Sequence, residues 1–238
     1  MNDPTPNLDE FLSFYQGDKA LIEERFITKA TLKLVSEYCD GKNVLNLGLG
    51  NGLIAEYVTG IAKSQVIVEG SPEIIDKFSN RVPSSELVLK YFEDIQDVEK
   101  YDIVLANHVL EHVADPRGIL HSNIMPALVP GGKLIATVPN ALSLHRRIGK
   151  SMGLLEHCDD LNANDIRGGH KRVYYPDQFK EDIELAGFTI DFFGGYNIKL
   201  VSLQQMKDWS DDLLEAIYDV SLGLPPEICS NLLAVGVK

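Results

Sequence analysis

The sequence predicts an α/β fold built on a mostly parallel sheet. Short β-branched runs alternate with amphipathic ones, the pattern of strands that helices bury on both faces. One such run, VLNLGLGNGLIAEYV from Val44 to Val58, ends in glycines at every second position, as a strand does when its backbone turns tightly and approaches a ligand. With 238 residues and 45% hydrophobic content, the chain is long enough for one domain with a full core.

Leu8 to Tyr38 reads as helix, because Phe11, Tyr15, Leu21, Ile22, Phe26, Ala30 and Leu34 recur at roughly helical spacing, with a break at Gly17 and Asp18. Strands are expected at Asn43 to Leu47, Val66 to Glu69, Leu87 to Lys90, Tyr101 to Ala106 and Lys133 to Val138. The helix before the fifth strand announces itself, since Asp115 can cap it, Pro116 suits its first position, and Gly131 and Gly132 end the connection. Beyond Phe188 the pattern shifts: GFTIDFFGG and SNLLAVGVK read as strands, with Leu203 to Ser221 helical between them. There is no internal repeat and no low-complexity segment.

A formal net charge of -13 and a pI near 4.8 argue against nucleic acid and anionic membrane as partners. The N-terminus MNDPTPNLDEF has neither a basic start nor an apolar stretch, and no apolar run is long enough to span a bilayer. A soluble, cytoplasmic protein is expected. Cys39, Cys158 and Cys229 are odd in number and widely spaced, which suits reduced thiols better than a disulfide frame or a zinc site.

In an open α/β sheet, ligands bind beyond the carboxyl ends of the strands, where the glycines lie. Gly48 and Gly50 can adopt positive φ, and Gly52 keeps a side chain out of the turn. Glu69 ends the second strand in VIVEGS, where a carboxylate can accept two hydrogen bonds from a ribose diol. Two cofactors compete. Gly50, Gly52 and Ala55 read as GxGxxA make a dinucleotide fingerprint and an oxidoreductase; Gly48, Gly50 and Gly52 read as GxGxG need no pyrophosphate. The second explains more of the chain, since no hydride-transfer constellation follows.

The blocks VLNLGLGNG, VIVEGS, YDIVLANHVLEHVADP and LVPGGKLIATVPN, in this order, resemble the class I S-adenosylmethionine-dependent methyltransferases from Asn43 to Asn140. GHKRVYYPDQFKEDIELAGF resembles a segment of relatives that act on small polar molecules. The resemblance implies a Rossmann-like seven-stranded sheet in the order 3-2-1-4-5-7-6, the last strand antiparallel, with helices on both faces. Residues 188–193 would be strand six and Asn231 to Val237 the inserted antiparallel strand, with Leu203 to Ser221 a substrate cover or a dimer contact in a monomer or homodimer. Residues 41–238 would form the methyltransferase domain, with acceptor-pocket elaborations near 141–180 and 200–225, and residues 1–40 a helical segment over the cofactor. S-adenosyl-L-methionine would lie along Gly48, Gly50 and Gly52, with its ribose on Glu69 and Gly70 and Ser71 flanking the adenine. Phe92, Glu93 and Asp94 would contact the adenine, while Asn107 and His108 would lie at the sulfonium end and Tyr15 at the methionine end. Asn46 stands where the family usually has an acid, so its contact with the cofactor's ammonium would lose its charge.

Methyl transfer is an in-line displacement in which the protein mainly aligns the reactants and excludes water. An alcohol acceptor also wants a base, an amine only an unprotonated nitrogen, so oxygen is the expected acceptor and nitrogen the alternative. His108, His145 and His170 are the candidate bases, because neutral imidazole is available near neutral pH. Glu111 and His112 could bind a divalent metal, but the positions four and three before Glu111 are Asn107 and His108. The ligand set is incomplete and no metal is expected. Arg146, Arg147, Lys171 and Arg172 concentrate positive charge in an acidic protein. With Tyr174 they suggest a small anionic acceptor bearing phosphate or carboxylate, or a nucleotide-linked sugar, gripped by guanidinium. A cofactor-binding module without catalysis is the reading from another class.

Overall fold

A computed structural model describes Leu8 and residues 18–238. The expected helix before residue 18, with Tyr15, lies outside the described residues. Helix α1 (Asp18–Glu23) runs through a π-helical turn (Glu24–Thr28) into α2 (Lys29–Cys39). β1 (Asn43–Leu47), α3 (Leu53–Ile61), β2 (Ser64–Glu69), α4 (Pro72–Phe78), β3 (Glu86–Leu89) and β4 (Tyr101–Asn107) follow. The chain continues through α5 (Pro116–Ile119), α6 (Met125–Ala127) and β5 (Leu128–Pro139), then α7 (Leu144–Ser151), α8 (Ala163–Arg167) and α9 (Pro176–Leu185). It ends with β6 (Thr189–Tyr196), α10 (Asp211–Ser221) and β7 (Asn231–Val237).

The seven strands are ordered β3-β2-β1-β4-β5-β7-β6. β1 to β5 are parallel, and β7 inserts antiparallel to both β5 and β6, as expected. Alternation within the strands explains why helices cover both faces. Leu45 and Leu47 join one cluster with Val104, Leu120 and Phe179, while Val44 turns to the other face with Val35, Val58 and Leu105. Capping works as the sequence suggests: Asp115 accepts from Gly118 N at 2.8 Å, and Pro116 opens α5.

β2, β4, β5 and β6 run longer than expected because their partners extend them. β5 starts at Leu128, where Leu128 pairs with Tyr101, and β6 continues to Tyr196 by pairing Gly194 and Gly195 with Leu233 and Leu232. Glycine is needed there: a Cβ on Gly195 would stand 2.7 Å from Cys229 Cβ.

The excursion after β6 is a short 3-10 turn (Leu203–Met206) and α10, and it docks on the N-terminal helix. Ile22 and Phe26 are buried with Met206 and Leu214. Arg25 donates to Asp211 Oδ1 at 2.7 Å and to the Lys207 and Trp209 carbonyls at 3.0 and 2.5 Å. Among the described residues no helix is long and apolar enough to cross a membrane.

Candidate functional site: a glycine cradle beside a buried histidine and carboxylate cluster

Gly48, Gly50 and Gly52 take φ of 82°, 54° and 82°, left-handed values that other residues adopt only under strain. A Cβ on Gly48 would meet nothing within 4 Å, so the loop presents open space and bare backbone. Gly52 is packed from below, where a Cβ would stand 2.8 Å from Arg81 Cδ.

Glu69 ends β2 against this loop and is 7% exposed. Its Oε2 accepts from Leu49 N at 2.9 Å and its Oε1 from Ser71 N at 2.8 Å. Burial pushes its carboxyl up, and the backbone N–H groups of Leu49, Ser71, Gly70 and Gly50 oppose that. The carboxylate thus fixes the loop as well as offering its remaining lone pairs to a ligand. Ser71 caps α4 by accepting from Ile74 N. Leu8 and Tyr91 crowd Gly70, since a Cβ there would lie 2.6 Å from Leu8 Cδ1 and 3.3 Å from the Tyr91 ring. Of the residues after β3, Phe92 packs against the main core, whereas Glu93 and Asp94 are exposed.

Asn46 turns away from the open end of the sheet. Its amide donates to Gln65 Oε1 at 3.4 Å, and Gln65 is itself held by Ala55, Thr59 and Ser85. The expected contact with the cofactor's ammonium is therefore replaced by a buried amide pair.

β1 and β4 are neighbours, Asn46 lying opposite Leu105, so the end of β4 adjoins the glycine loop. Both polar atoms of the Asn107 amide are buried there without a hydrogen-bond partner. His108 follows at φ 53° and donates its backbone N–H to Thr137 O at 2.9 Å. Its Nδ1 lies 3.1 Å from Glu111 Oε1 and its Nε2 3.2 Å from the Tyr196 hydroxyl, which reaches Thr31 Oγ1 at 3.1 Å. Four side chains from three parts of the chain form one relay, buried except at the partly exposed His108. Burial alone would raise the fully buried Glu111, yet the hydrogen bond from His108 and the nearby imidazoles of His112 and His170 hold it down at about 2.

His170 joins this cluster. Its ring meets that of His112 edge-on, with centroids 4.7 Å apart, and burial pushes it down. His145 is also lowered by burial, with help from Lys199 and Arg146, to about 2. It stays neutral, but such a weak base is poorly matched to taking an acceptor's proton near neutral pH.

The expected anion-binding cluster is divided. Arg146 is 4% exposed and its guanidinium is consumed by Asp165 and by the Cys158 and Asp160 carbonyls. Arg172 donates to Leu110, Val113 and Ala114 carbonyls, clamping the loop after β4. Tyr174 is buried and donates to Asp182 at 3.1 Å. These three hold the fold, whereas Arg147 and Lys171 are exposed. Glu23 and Lys199 were not legible as site residues. Burial raises Glu23 to about 7 against the attraction of His108, Lys199 and Arg167, and lowers Lys199 to about 8 against Glu23 and Asp165.

The sequence matches a family model described as a methyltransferase domain over residues 20–191. With the strand order and the glycine cradle, that decides the family. The chain belongs to the class I S-adenosylmethionine-dependent methyltransferases. Among curated methyltransferases, it is 35% identical over 108 residues to the ubiquinone biosynthesis O-methyltransferase of Coxiella burnetii, covering 42% of this chain and 44% of that one. It is 31% identical over 124 residues to the mitochondrial enzyme of that name in Schizosaccharomyces pombe, covering 49% and 44%. The chain thus spans under half the length of these relatives. A Thermotoga maritima structure described as a "SAM-dependent methyltransferase, possible histamine N-methyltransferase" superposes with a TM-score of 0.68 at 18% identity, over 97% of this chain and 96% of that one. At that identity the likeness shows the fold alone. The methyltransferase cofactor fits the residues present: the left-handed glycines leave a cradle open at Gly48, Glu69 stands beside it, and the unpartnered Asn107 amide adjoins it.

Proposed function

We infer that the protein transfers a methyl group to an oxygen of a small polar acceptor bearing an anionic group. S-adenosylmethionine would lie along Gly48 to Gly52 with its ribose on Glu69, supplying an electrophilic methyl carbon. The acceptor would sit between the loop after β4, the segment after β5 and the N-terminal helix, which would cover it. The observation that carries this reading is the His108–Glu111 pair after β4, the neighbour of β1 that leads into the glycine cradle: it supports a polar, partly dry environment where an acceptor would meet the methyl group. The relatives' shared name, ubiquinone biosynthesis O-methyltransferase, supports oxygen over nitrogen. Lys199, half-buried near Glu23 and Asp165, would receive the anionic group, since Arg146 and Arg172 are already occupied. A protein of this kind aligns its reactants and excludes water more than it supplies reacting groups.

Calorimetric titration with S-adenosylmethionine, S-adenosylhomocysteine and NAD tests the cofactor. Glu69→Gln, which keeps an acceptor for the Leu49 N–H, should weaken the first two by about 1–3 kcal/mol. Binding of NAD alone would overturn the reading. Methyl-labelled cofactor incubated with matched hydroxy acids, their amides and amines tests the acceptor. Label appearing on amines, or on neutral amides as readily as on acids, would refute its oxygen and anion parts respectively.

A further inference from the structure

We propose that Glu111, His112 and His170 form a binding site for a divalent transition-metal ion. One ligand atom from each lies within 4.8 Å of the others, although His170 comes from a segment far along the chain. The fold holds the two segments together independently of any ion: Lys171 N donates to Glu111 O at 2.8 Å, and the Arg172 guanidinium clamps the Leu110, Val113 and Ala114 carbonyls.

Two buried atoms in the cluster lack what they need. Glu111 is fully buried, and while its Oε1 meets His108, its Oε2 has no hydrogen-bond partner. His170 Nδ1 is likewise buried without a hydrogen bond, 3.5 Å from Asp165 Oδ1. A buried carboxylate oxygen left unsatisfied is costly in a dry site, and a cation bound by Glu111 removes that deficit. His108, anchored through Tyr196, supplies the outer contact that orients a ligating carboxylate. The His112 side chain is 35% exposed, which gives an ion its way in.

Two imidazoles and one carboxylate suit zinc, manganese, iron(II) or cobalt rather than magnesium or calcium, which prefer all-oxygen shells. Three protein donors also leave coordination positions open. If the acceptor is a hydroxyl compound, and this use rests on the oxygen-transfer reading above, its oxygen can occupy one of them. It then loses its proton to solvent more readily, and its lone pair forms the bond to the methyl carbon as the sulfur–carbon bond breaks. Nothing is oxidised or reduced.

The test uses the full chain stripped with a chelator and titrated with Co(II), read by visible absorption, and with Zn(II), read by metal analysis after dialysis. One equivalent should be retained against excess Mg(II), and His112→Ala and His170→Ala should each weaken retention at least tenfold. The control His157→Ala, at an exposed position outside the cluster, should not. No retained ion, displacement by Mg(II), or retention by both cluster variants as strong as the parent's would overturn the site. S-adenosylmethionine titration of the same samples reports their folding. Should His170→Ala fail to fold, the half-exposed His112→Ala decides. A wild-type chain that holds metal but not S-adenosylmethionine would refute the methyl-transfer reading and leave the metal site standing.

Discussion

Arg146 directs its whole guanidinium inward, to Asp165 and to the carbonyls of Cys158 and Asp160. Removing one partner of a buried ion pair leaves the other charged and unpaired, so Arg146→Met should destabilise the fold by about 3–5 kcal/mol. Urea unfolding measures this, and cofactor affinity of the folded fraction should be unchanged. An unaltered midpoint would restore Arg146 as a ligand-facing residue. Glu23 makes a pH-dependent case. Its pKa is raised from 4.5 to about 7, so the folded chain holds a proton that the unfolded chain releases between those values. Its ionisation therefore costs no stability below about pH 4.5. Stability is lost as the pH rises through that window, and the loss is complete above about 7. Glu23→Gln should match the parent at low pH and exceed it by about 1–3 kcal/mol at pH 8. Thermal melts at both values check it, and an equal difference at both would refute it.

Among the elements, α10 and the preceding turn are the part whose position was least predictable. Their apolar residues face the N-terminal helix, and Arg25 ties them down by donating to two backbone carbonyls and Asp211. The exposed ion pairs of Lys29 with Asp211 and Lys33 with Glu215 add little. Arg25→Met keeps the aliphatic stem but strands those carbonyls, at a cost of about 1–3 kcal/mol. Limited proteolysis should then cut within residues 203–222 faster than in the parent; an unchanged pattern would show that the apolar contacts alone hold the excursion. The excursion was expected to be a substrate cover or a dimer contact and the N-terminal segment a cover over the cofactor; their apolar residues pack against each other.

Across the whole molecule, the same excursion is continuous with the sheet. Tyr218 joins the cluster of Val35, Leu105 and Tyr196, and Ser221 Oγ accepts from Asn197 N at 2.8 Å. The single tryptophan, Trp209, packs in the excursion's own cluster, so its fluorescence reports that region while circular dichroism reports the sheet. The two unfolding transitions should coincide. Saturating S-adenosylhomocysteine should raise both together, by about 2.7 kcal/mol at a hundredfold excess over its dissociation constant. An earlier fluorescence transition would make the excursion a separate unit.

What the sequence determined by itself was local. Glycines at alternate positions after a strand, an acid closing the next strand, and Asp115 with Pro116 at a helix start carry their reasons in their own backbone needs, and the structure places them as read. Alternating apolar runs likewise gave the parallel sheet, because burial on both faces leaves a periodic trace. The direction of each polar side chain was decided only by tertiary structure. Thr31 and Tyr196 meet across 165 residues of sequence, His170 is brought to Glu111 by the backbone bond from Lys171 N to Glu111 O, and Asn46 turns to Gln65. Basic residues adjacent in sequence were split between buried carbonyls and solvent. A charged side chain goes where desolvation is offset by partners, and those partners are brought together only when distant segments pack.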